Sequence, residues 1–230
     1  MSQGNPNPNI STSGSQKVMP VFSPDYGVAD EGSFFVSTLA ATASTSTAAT
    51  SQALADTNPS LALFNGQSTG GYNVYLRYIK VKVTVVGGSN TSLNYSTIVE
   101  QRPDKLTSTG TALGAPANVN TSSSTLSKLS GNAGVLLAAA ANATNRRVGD
   151  GQIVGSVEVA FDEWIFVFGE YPAKSLIGAT TAVSARTIPH APVILAPGWW
   201  FTMGLWGASK AAAASTYGWE VGFAERPSGQ

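Results

Sequence analysis

The chain contains no cysteine and a single histidine, His190. The absence of cysteine excludes disulfide bridges, thiolate metal sites and a cysteine nucleophile. A Ser-His-Asp site would have to use His190, but no Gly-x-Ser-x-Gly elbow accompanies it. Pro189 precedes His190 and Pro192 lies two residues after it, a context typical of a rigid turn at a strand entrance. The sequence therefore predicts a structural or solvent-facing His190, no catalytic residue, no metal site and no cofactor.

Charge is also scarce. Charged residues make up 11% of the 230 residues, against roughly 25% in ordinary soluble domains, and the formal net charge is zero. The basic residues are scattered, and only Arg146 and Arg147 are adjacent, so we expect no direct contact with nucleic acid. A surface with so little charge is either simply neutral or covered by other subunits, and we favour cover by other subunits.

Long apolar runs are missing as well. No segment approaches the roughly 18 uncharged apolar residues of a membrane-spanning helix, and residues 1–16 lack the basic and apolar regions of a secretory signal. We therefore expect no membrane partner. Residues 1–32 are rich in Asn, Pro, Ser and Gly, a composition that cannot bury enough surface to offset its ordering entropy. The prediction is an extended N-terminal arm over 1–32 and one domain over 33–230.

Two aromatic-rich runs near the carboxyl end carry the strongest structural signal. Their apolar side chains recur at every second position, which places them on one face of an extended strand. The residues are Trp199, Phe201, Met203 and Leu205 in the first run and Tyr217, Trp219, Val221 and Phe223 in the second. We expect antiparallel strands whose aromatic faces build a core or a contact between subunits.

Strand signals recur along the rest of the domain. In 72–86 the apolar set changes face between Tyr78 and Ile79, which predicts a β-bulge. The GGSN sequence at 87–90 predicts a turn, with 93–100 as the return strand of a hairpin. Residues 163–169 are apolar on both faces, as in a central strand.

The segments between these strands predict irregular structure. Residues 101–131 are polar and predict a long excursion outside the core, and residues 134–145 have the alanine and leucine content of a short helix. Gly149-Asp150-Gly151 predicts a turn. About eight short antiparallel strands with long loops and one short helix are typical of an all-β sandwich with Greek-key connections.

Trp200 and Trp206 have the parity opposite to Trp199 and are candidates for an exposed patch. Exposed aromatic residues anchor protein interfaces and also serve as platforms for sugar rings, and we favour an intersubunit contact. The other interface candidates are Tyr72 at the start of the long strand and Phe22 and Tyr26 in the arm. A carboxylate pair for glycoside hydrolysis stays open among the acids on or near strands, which are Glu158, Asp162, Glu163, Glu170 and Glu220.

The segment 146–228 resembles a group of tailed-bacteriophage virion proteins. The likeness is carried by RRVGDGQIVG, by APVILAPGWWFTMGLWG and by GWEVGFAERPSG. In such proteins a Pro-Gly turn leads into a strand that ends in LWG, and the closing strand ends on a Glu-Arg pair, here Glu225-Arg226. The resemblance implies a jelly-roll β-sandwich and a structural role in the virion.

Composition and resemblance together predict a non-enzymatic virion structural protein that assembles into a bacteriophage capsid, or decorates and cements it. The expected partners are copies of the chain, in a trimer, and other capsid proteins. We expect synthesis in the host cytoplasm and a final location on the capsid surface. Two alternatives stay open: a glycan-binding host-attachment module, and a polysaccharide hydrolase with an acid pair in a groove.

Overall fold

The computed structural model is dominated by β-strands arranged in two sheets. It describes residues 24–39, 46–47, 57–86, 93–101, 106–108, 110–134, 136–137, 144–154, 159–169, 185–207 and 215–228. In these ranges one helix, α1, spans Pro24–Asp30. The strands are β1 (Phe34–Thr38), β2 (Ser46–Thr47), β3 (Leu61–Asn65), β4 (Tyr72–Val85), β5 (Leu93–Gln101), β6 (Leu106–Ser108), β7 (Thr111–Ala112), β8 (Ala117–Asn118), β9 (Leu129–Ala133), β10 (Leu136–Leu137), β11 (Thr144–Val154), β12 (Glu163–Phe168), β13 (Ala185–His190), β14 (Ile194–Leu195), β15 (Trp200–Trp206) and β16 (Thr216–Pro227).

The two large sheets have different strand orders. The first sheet runs β13-β12-β4-β16-β1-β8, with β14 also pairing with β4 and β2 with β16. The second sheet runs β11-β5-β15-β3-β9-β7, and β6 and β10 form a separate ribbon. Neighbouring strands are antiparallel except β12 and β13, which are parallel. The chain therefore has the all-β, predominantly antiparallel organisation of a β-sandwich, as the sequence predicted.

Eight of the strands pair in a nested order: the first along the chain pairs with the last, the second with the second to last, and so on inward. β1 pairs with β16 and β3 with β15, while β4 pairs with β12 and β5 with β11. Two further ladders, β4 with β16 and β5 with β15, join these pairs into sheets. Each large sheet thus contains four of the eight strands, and from one of the eight to the next the chain changes sheet at every step except from β5 to β11.

The core lies between the inner faces of the two sheets. The alternate residues of β15 and β16 face each other across it: Phe201, Met203, Leu205, Tyr217, Trp219, Val221 and Phe223 are all buried there. Trp199 packs against the same cluster. The predicted inward faces of the two carboxyl-terminal runs are therefore confirmed, although β15 and β16 belong to opposite sheets.

The predicted bulge in β4 is also confirmed. Opposite β4, Val221 pairs with Ile79 and Gly222 with Tyr78, but Phe223 pairs with Leu76, so Arg77 is an additional residue in β4. Because of this additional residue, the apolar side chains before the bulge and those after it all face the core, although the two sets have opposite parity in the sequence. The Tyr78 ring lies across Gly222, where any Cβ would collide with it.

The predicted hairpin between residues 72–86 and 93–100 is wrong in its pairing. The strand exists as β5, but it pairs with β11 and β15 in the second sheet. Both edges of β4 are occupied, by β16 on one side and by β12 and β14 on the other. The connecting residues 87–92, including the expected turn, lie outside the described residues.

The predicted turn at Gly149-Asp150-Gly151 is wrong, because all three residues lie within β11. The glycines meet a different steric need. A Cβ at Gly149 would collide with the His190 ring, and one at Gly151 would crowd the Tyr95 ring. Glycine is required here by the close approach of side chains to the strand, not by a reversal of the chain.

Two further expectations are corrected. Residues 136–137 and 144–145, where a helix was expected, lie in β10 and at the start of β11, because pairing outweighs helix propensity there, and residues 135 and 138–143 lie outside the described residues. Residues 101–131 are not wholly outside the core, since β9 extends the second sheet and both Leu113 and Leu129 are buried.

The helix of the described chain lies in the segment predicted to be an extended arm. α1 contributes Val28 to the buried residues, and the Glu31 amide donates to the Gly27 carbonyl at 3.1 Å. Residues 24–32 therefore belong to the folded unit, and residues 1–23 lie outside the described residues.

Candidate interaction surfaces

β4 defines two ends of the sandwich. We call the end where β4 begins the Tyr72 end. Here the Asn65 side chain donates to the Tyr72 carbonyl at 2.9 Å, and the Asn65 backbone amide donates to the Trp199 carbonyl at 3.1 Å. At the other end, the Val85 end, Val85 pairs with Thr216. Trp206 is the last residue of β15 and pairs with Asn94 near the start of β5, which places it at the Val85 end.

The structure separates the two tryptophans predicted to form one patch. Both side chains project from the outer face of the second sheet, but they are six positions apart in an extended strand, a separation of roughly 20 Å. Trp200 is only 7% exposed, and its ring stacks on Phe64 with a centroid distance of 4.5 Å. The expectation that Trp200 is exposed is wrong.

The reason is that this outer face is not open to solvent. Its other residues around Trp200 are buried as well: Ala62, Ser96, Ile98, Glu100 and Thr202. β5 and β11 lie on one side of this sheet and β7 and β9 on the other, so the chain crosses from one side to the other twice, between β5 and β7 and between β9 and β11. The ribbon of β6 and β10 belongs to these two connections. Strand parity identifies a face, but it does not say whether another segment covers that face.

The other candidates have different surroundings. Trp206 is half-buried, and Tyr72 is 45% exposed at the beginning of β4. Tyr26 lies in α1, and Phe22 lies outside the described residues. The structure therefore does not bring the five candidates together on one surface.

Exposed apolar side chains that the sequence analysis did not single out lie at both ends. Val85, Val159 and Phe161 are at the Val85 end, where Phe161 donates its amide to the Val83 carbonyl at 2.8 Å. Ile194 lies near the Tyr72 end through its pairing with Tyr75. Leu126, the most exposed at 82%, lies one residue before Ser127, which contacts β16 through Glu225.

Phe161 has an unusual backbone conformation. The Asp162 amide donates to the Val159 carbonyl at 3.2 Å, which closes a four-residue turn with Phe161 in its third position. The φ of Phe161 is 70°, a value of type II turns that favours glycine at this position, and no other described non-glycine residue has a positive φ. Phenylalanine is not a turn residue, so no local pattern in the sequence could have located this turn.

The outer face of the first sheet carries charges that are paired within the chain. Lys80 Nζ lies 3.0 Å from a Glu220 carboxylate oxygen, and Lys82 Nζ lies 3.8 Å from Glu163. The Tyr78 hydroxyl donates to Glu220 at 2.9 Å. Burial, this hydrogen bond and the Glu220 charge all raise the pKa of Tyr78. The acids Glu163 and Glu220 are thus held by lysines on a sheet surface.

His190 lies buried between the sheets. Its Nδ1 is 3.0 Å from the Ala191 carbonyl, which can only accept, so we assign the proton of the neutral ring to Nδ1. Nε2 then accepts from the Thr97 hydroxyl at 2.7 Å. The Phe168 ring packs on the imidazole at 4.6 Å. Burial lowers the pKa of His190, and the bond to Ala191 opposes this only in part. A neutral imidazole that is buried between two strands and held by two hydrogen bonds has a structural role.

Glu225 is buried at the Tyr72 end. It accepts from the Ser127 hydroxyl, and burial raises its pKa although hydrogen bonds from Ser127, Gln67 and the Lys128 backbone act in the opposite direction. Nearby, the Asn65 side chain donates to the Leu195 carbonyl at 2.9 Å and accepts from the Gln67 amide at 3.1 Å. These contacts bind loops of this end to one another.

No group of three or more His, Asp or Glu side chains suited to a metal ion occurs among the described residues. Within the same ranges, no helix has the length and hydrophobicity needed to span a bilayer. Of the acids considered in the sequence, Asp162 is buried in the turn that contains Phe161, and Glu158 and Glu170 lie outside the described residues.

No protein-family model matches the chain, and comparison with curated proteins and with solved structures found no match. The strand order and the surface residues are therefore the observations from which its function has to be inferred.

Proposed function

We propose that the chain is a non-enzymatic structural subunit of a virus particle, which assembles into a bacteriophage capsid or decorates and cements one. Its partners in this proposal are copies of itself, in a trimer, and other capsid proteins, and its location is the capsid surface. The observation that carries the proposal is the order in which the eight principal strands pair.

The strand order supports a jelly roll. When β1, β3, β4, β5, β11, β12, β15 and β16 are numbered one to eight, the first pairs with the eighth, the second with the seventh, the third with the sixth and the fourth with the fifth. A long hairpin rolled in this way gives two four-stranded sheets. Jelly rolls with eight strands occur in viral capsid proteins, and also in lectins and cupins. The other described strands are insertions into this plan.

The charges of the surface support a function in assembly. In the part of the chain that the structure describes, four lysine or arginine side chains lie within 4.0 Å of a carboxylate, in the pairs Lys80–Glu220, Lys82–Glu163, Arg147–Asp150 and Arg226–Glu31. Paired charges leave little net field to attract a polyanion. Subunits that associate through apolar and small polar contacts do not need such a field.

The glycan-binding alternative is weakened by the position of the tryptophans. Trp200 is stacked on Phe64 and buried, so it presents no ring to a sugar. Among the described residues, the exposed aromatic side chains Tyr72 and Phe161 lie at opposite ends of the sandwich, so they do not form one platform for a sugar ring. Of the acids considered for the hydrolase alternative, Glu163 and Glu220 are paired with lysines on the outer face of the first sheet, which does not favour an acid pair there.

The proposal is tested on intact particles. Particles from a culture that produces the chain are purified on a density gradient, washed with salt, and analysed by quantitative mass spectrometry. We expect the chain to band with the particles at a fixed ratio to the other shell proteins, while an abundant host cytosolic protein is washed away. Recovery of the chain only in the particle-free fractions would contradict the proposal, and strong binding on a glycan array would favour the attachment module.

A further inference from the structure

Phe161 combines backbone strain with an exposed aromatic ring. Its φ of 70° is one that glycine adopts freely and phenylalanine does not. The ring is 57% exposed, so burial within the chain compensates little for this strain. Lys82 Nζ lies 5.7 Å from the ring centroid and its side chain is 44% exposed, which makes this contact weak. Strained residues of this kind concentrate at functional positions.

The surroundings of Phe161 extend its apolar surface. Val159 begins the same turn, and the Phe161 amide bonds to the Val83 carbonyl, two residues before Val85. Val85 and Val159 are both exposed. We call Val85, Val159 and Phe161 the Phe161 tip. Half-buried Trp206 lies at the same end of the sandwich in the second sheet.

The charges beside the tip indicate what kind of partner it fits. Lys82, whose ammonium lies beside the Phe161 ring, is paired with Glu163 at 3.8 Å, so its positive charge is balanced within the chain. Among the described residues, this pairing leaves little net positive charge beside the ring for a polyanion or an anionic lipid surface to bind. The matching surface is apolar and uncharged, and the Phe161 tip of a second copy meets both conditions. Contacts of one patch with its own copy are the usual basis of closed symmetric oligomers.

The geometry points to a self-contact: the Phe161 tips of two or more copies of this chain pack against one another around a symmetry axis, with the Phe161 ring at the centre. This inference rests on the proposed function and identifies one of the surfaces by which the subunits associate. Three apolar side chains are fewer than a whole interface needs, but a central aromatic anchor commonly carries a large part of the binding energy.

The test compares Phe161→Gly with the wild-type chain. Sedimentation velocity over a range of protein concentrations measures self-association, and thermal unfolding measures stability. Val159→Ser is a second variant of the tip, and Leu126→Ser is the matched control, because it removes a more exposed apolar side chain away from the tip. We expect Phe161→Gly to weaken self-association about tenfold or more, with an unfolding midpoint no more than about 2 °C below that of the wild type, and Leu126→Ser to associate normally.

The possible outcomes test the self-contact of the Phe161 tip separately from the proposed function. If the wild-type chain associates, and Phe161→Gly and Val159→Ser associate equally well, the self-contact is wrong. The proposed structural function is not affected by that result. A midpoint of Phe161→Gly well below that of the wild type overturns the inference too, since the ring would then serve the internal packing. A wild-type chain that stays monomeric at every concentration overturns the self-contact, and the particle experiment then decides on the function separately.

Discussion

His190 makes the packing between the two sheets sensitive to acid. The folded chain holds a neutral ring whose pKa is lowered by burial from the ordinary value of 6.5, while the unfolded chain binds a proton at that ordinary value. The free energy of unfolding should therefore decrease as the pH falls below about 6.5, by up to about 1.4 kcal/mol per pH unit, and stop decreasing once the folded ring is protonated. Denaturant unfolding between about pH 8 and pH 5 measures this slope.

The matched variant for this prediction is His190→Asn. It should be less stable than the wild type at about pH 8, because it loses the Thr97 and Phe168 contacts, but the difference should shrink in acid. Glu225 has a raised pKa and acts in the opposite direction, with stability lost as the pH rises above 4.5, but it is present in both proteins and cancels in the comparison. Parallel pH profiles of the two proteins would contradict the role of His190.

Gly149 is a second residue on which this cluster depends. In Gly149→Ala the new methyl group collides with the His190 ring, which two hydrogen bonds and Phe168 hold in place. We expect a loss of about 1 to 3 kcal/mol in the free energy of unfolding, measured by denaturant titration. Gly27→Ala is the control: nothing lies near its Cβ in α1, and helix propensity favours alanine by roughly 0.5 to 1 kcal/mol. Equal stability of the two variants would refute the steric argument.

At the scale of the elements, alternation in the sequence predicts strands and faces well. β1, β4, β12, β15 and β16 lie where the apolar pattern places them, and the change of face at Tyr78 marks the bulge in β4. The cause is local, because a strand with one buried face has to alternate wherever its partners lie. The apolar pattern alone therefore gave both the strands and the bulge.

Pairing is not local, and the sequence predicts it poorly. A strand that follows a glycine-rich connection can form a hairpin with β4 or join the other sheet, and the sequence does not distinguish the two. β5 belongs to the other sheet. The glycines of β11 look like a turn because the His190 and Tyr95 rings that require them are distant in the chain. The Phe161 tip has no sequence signal, and Trp200 has the predicted parity but lies on a covered face.

At the scale of the whole molecule, the sandwich offers two ends with different properties. The Tyr72 end is bound together by polar contacts of Asn65 and Glu225, whereas the Val85 end presents the strained Phe161 turn and its apolar neighbours. A subunit whose two ends carry different contacts has a preferred direction in an assembly. In the proposed trimer, we therefore expect the Val85 ends to meet at the axis.

The most direct measurement is a cryo-electron microscopy reconstruction of particles that contain the chain. We expect density for the two-sheet sandwich in symmetry-related copies at the outer surface of the capsid, with Phe161 near a symmetry axis. Particles whose shell is fully accounted for by other proteins, with the chain found as an isolated monomer outside them, would contradict the account.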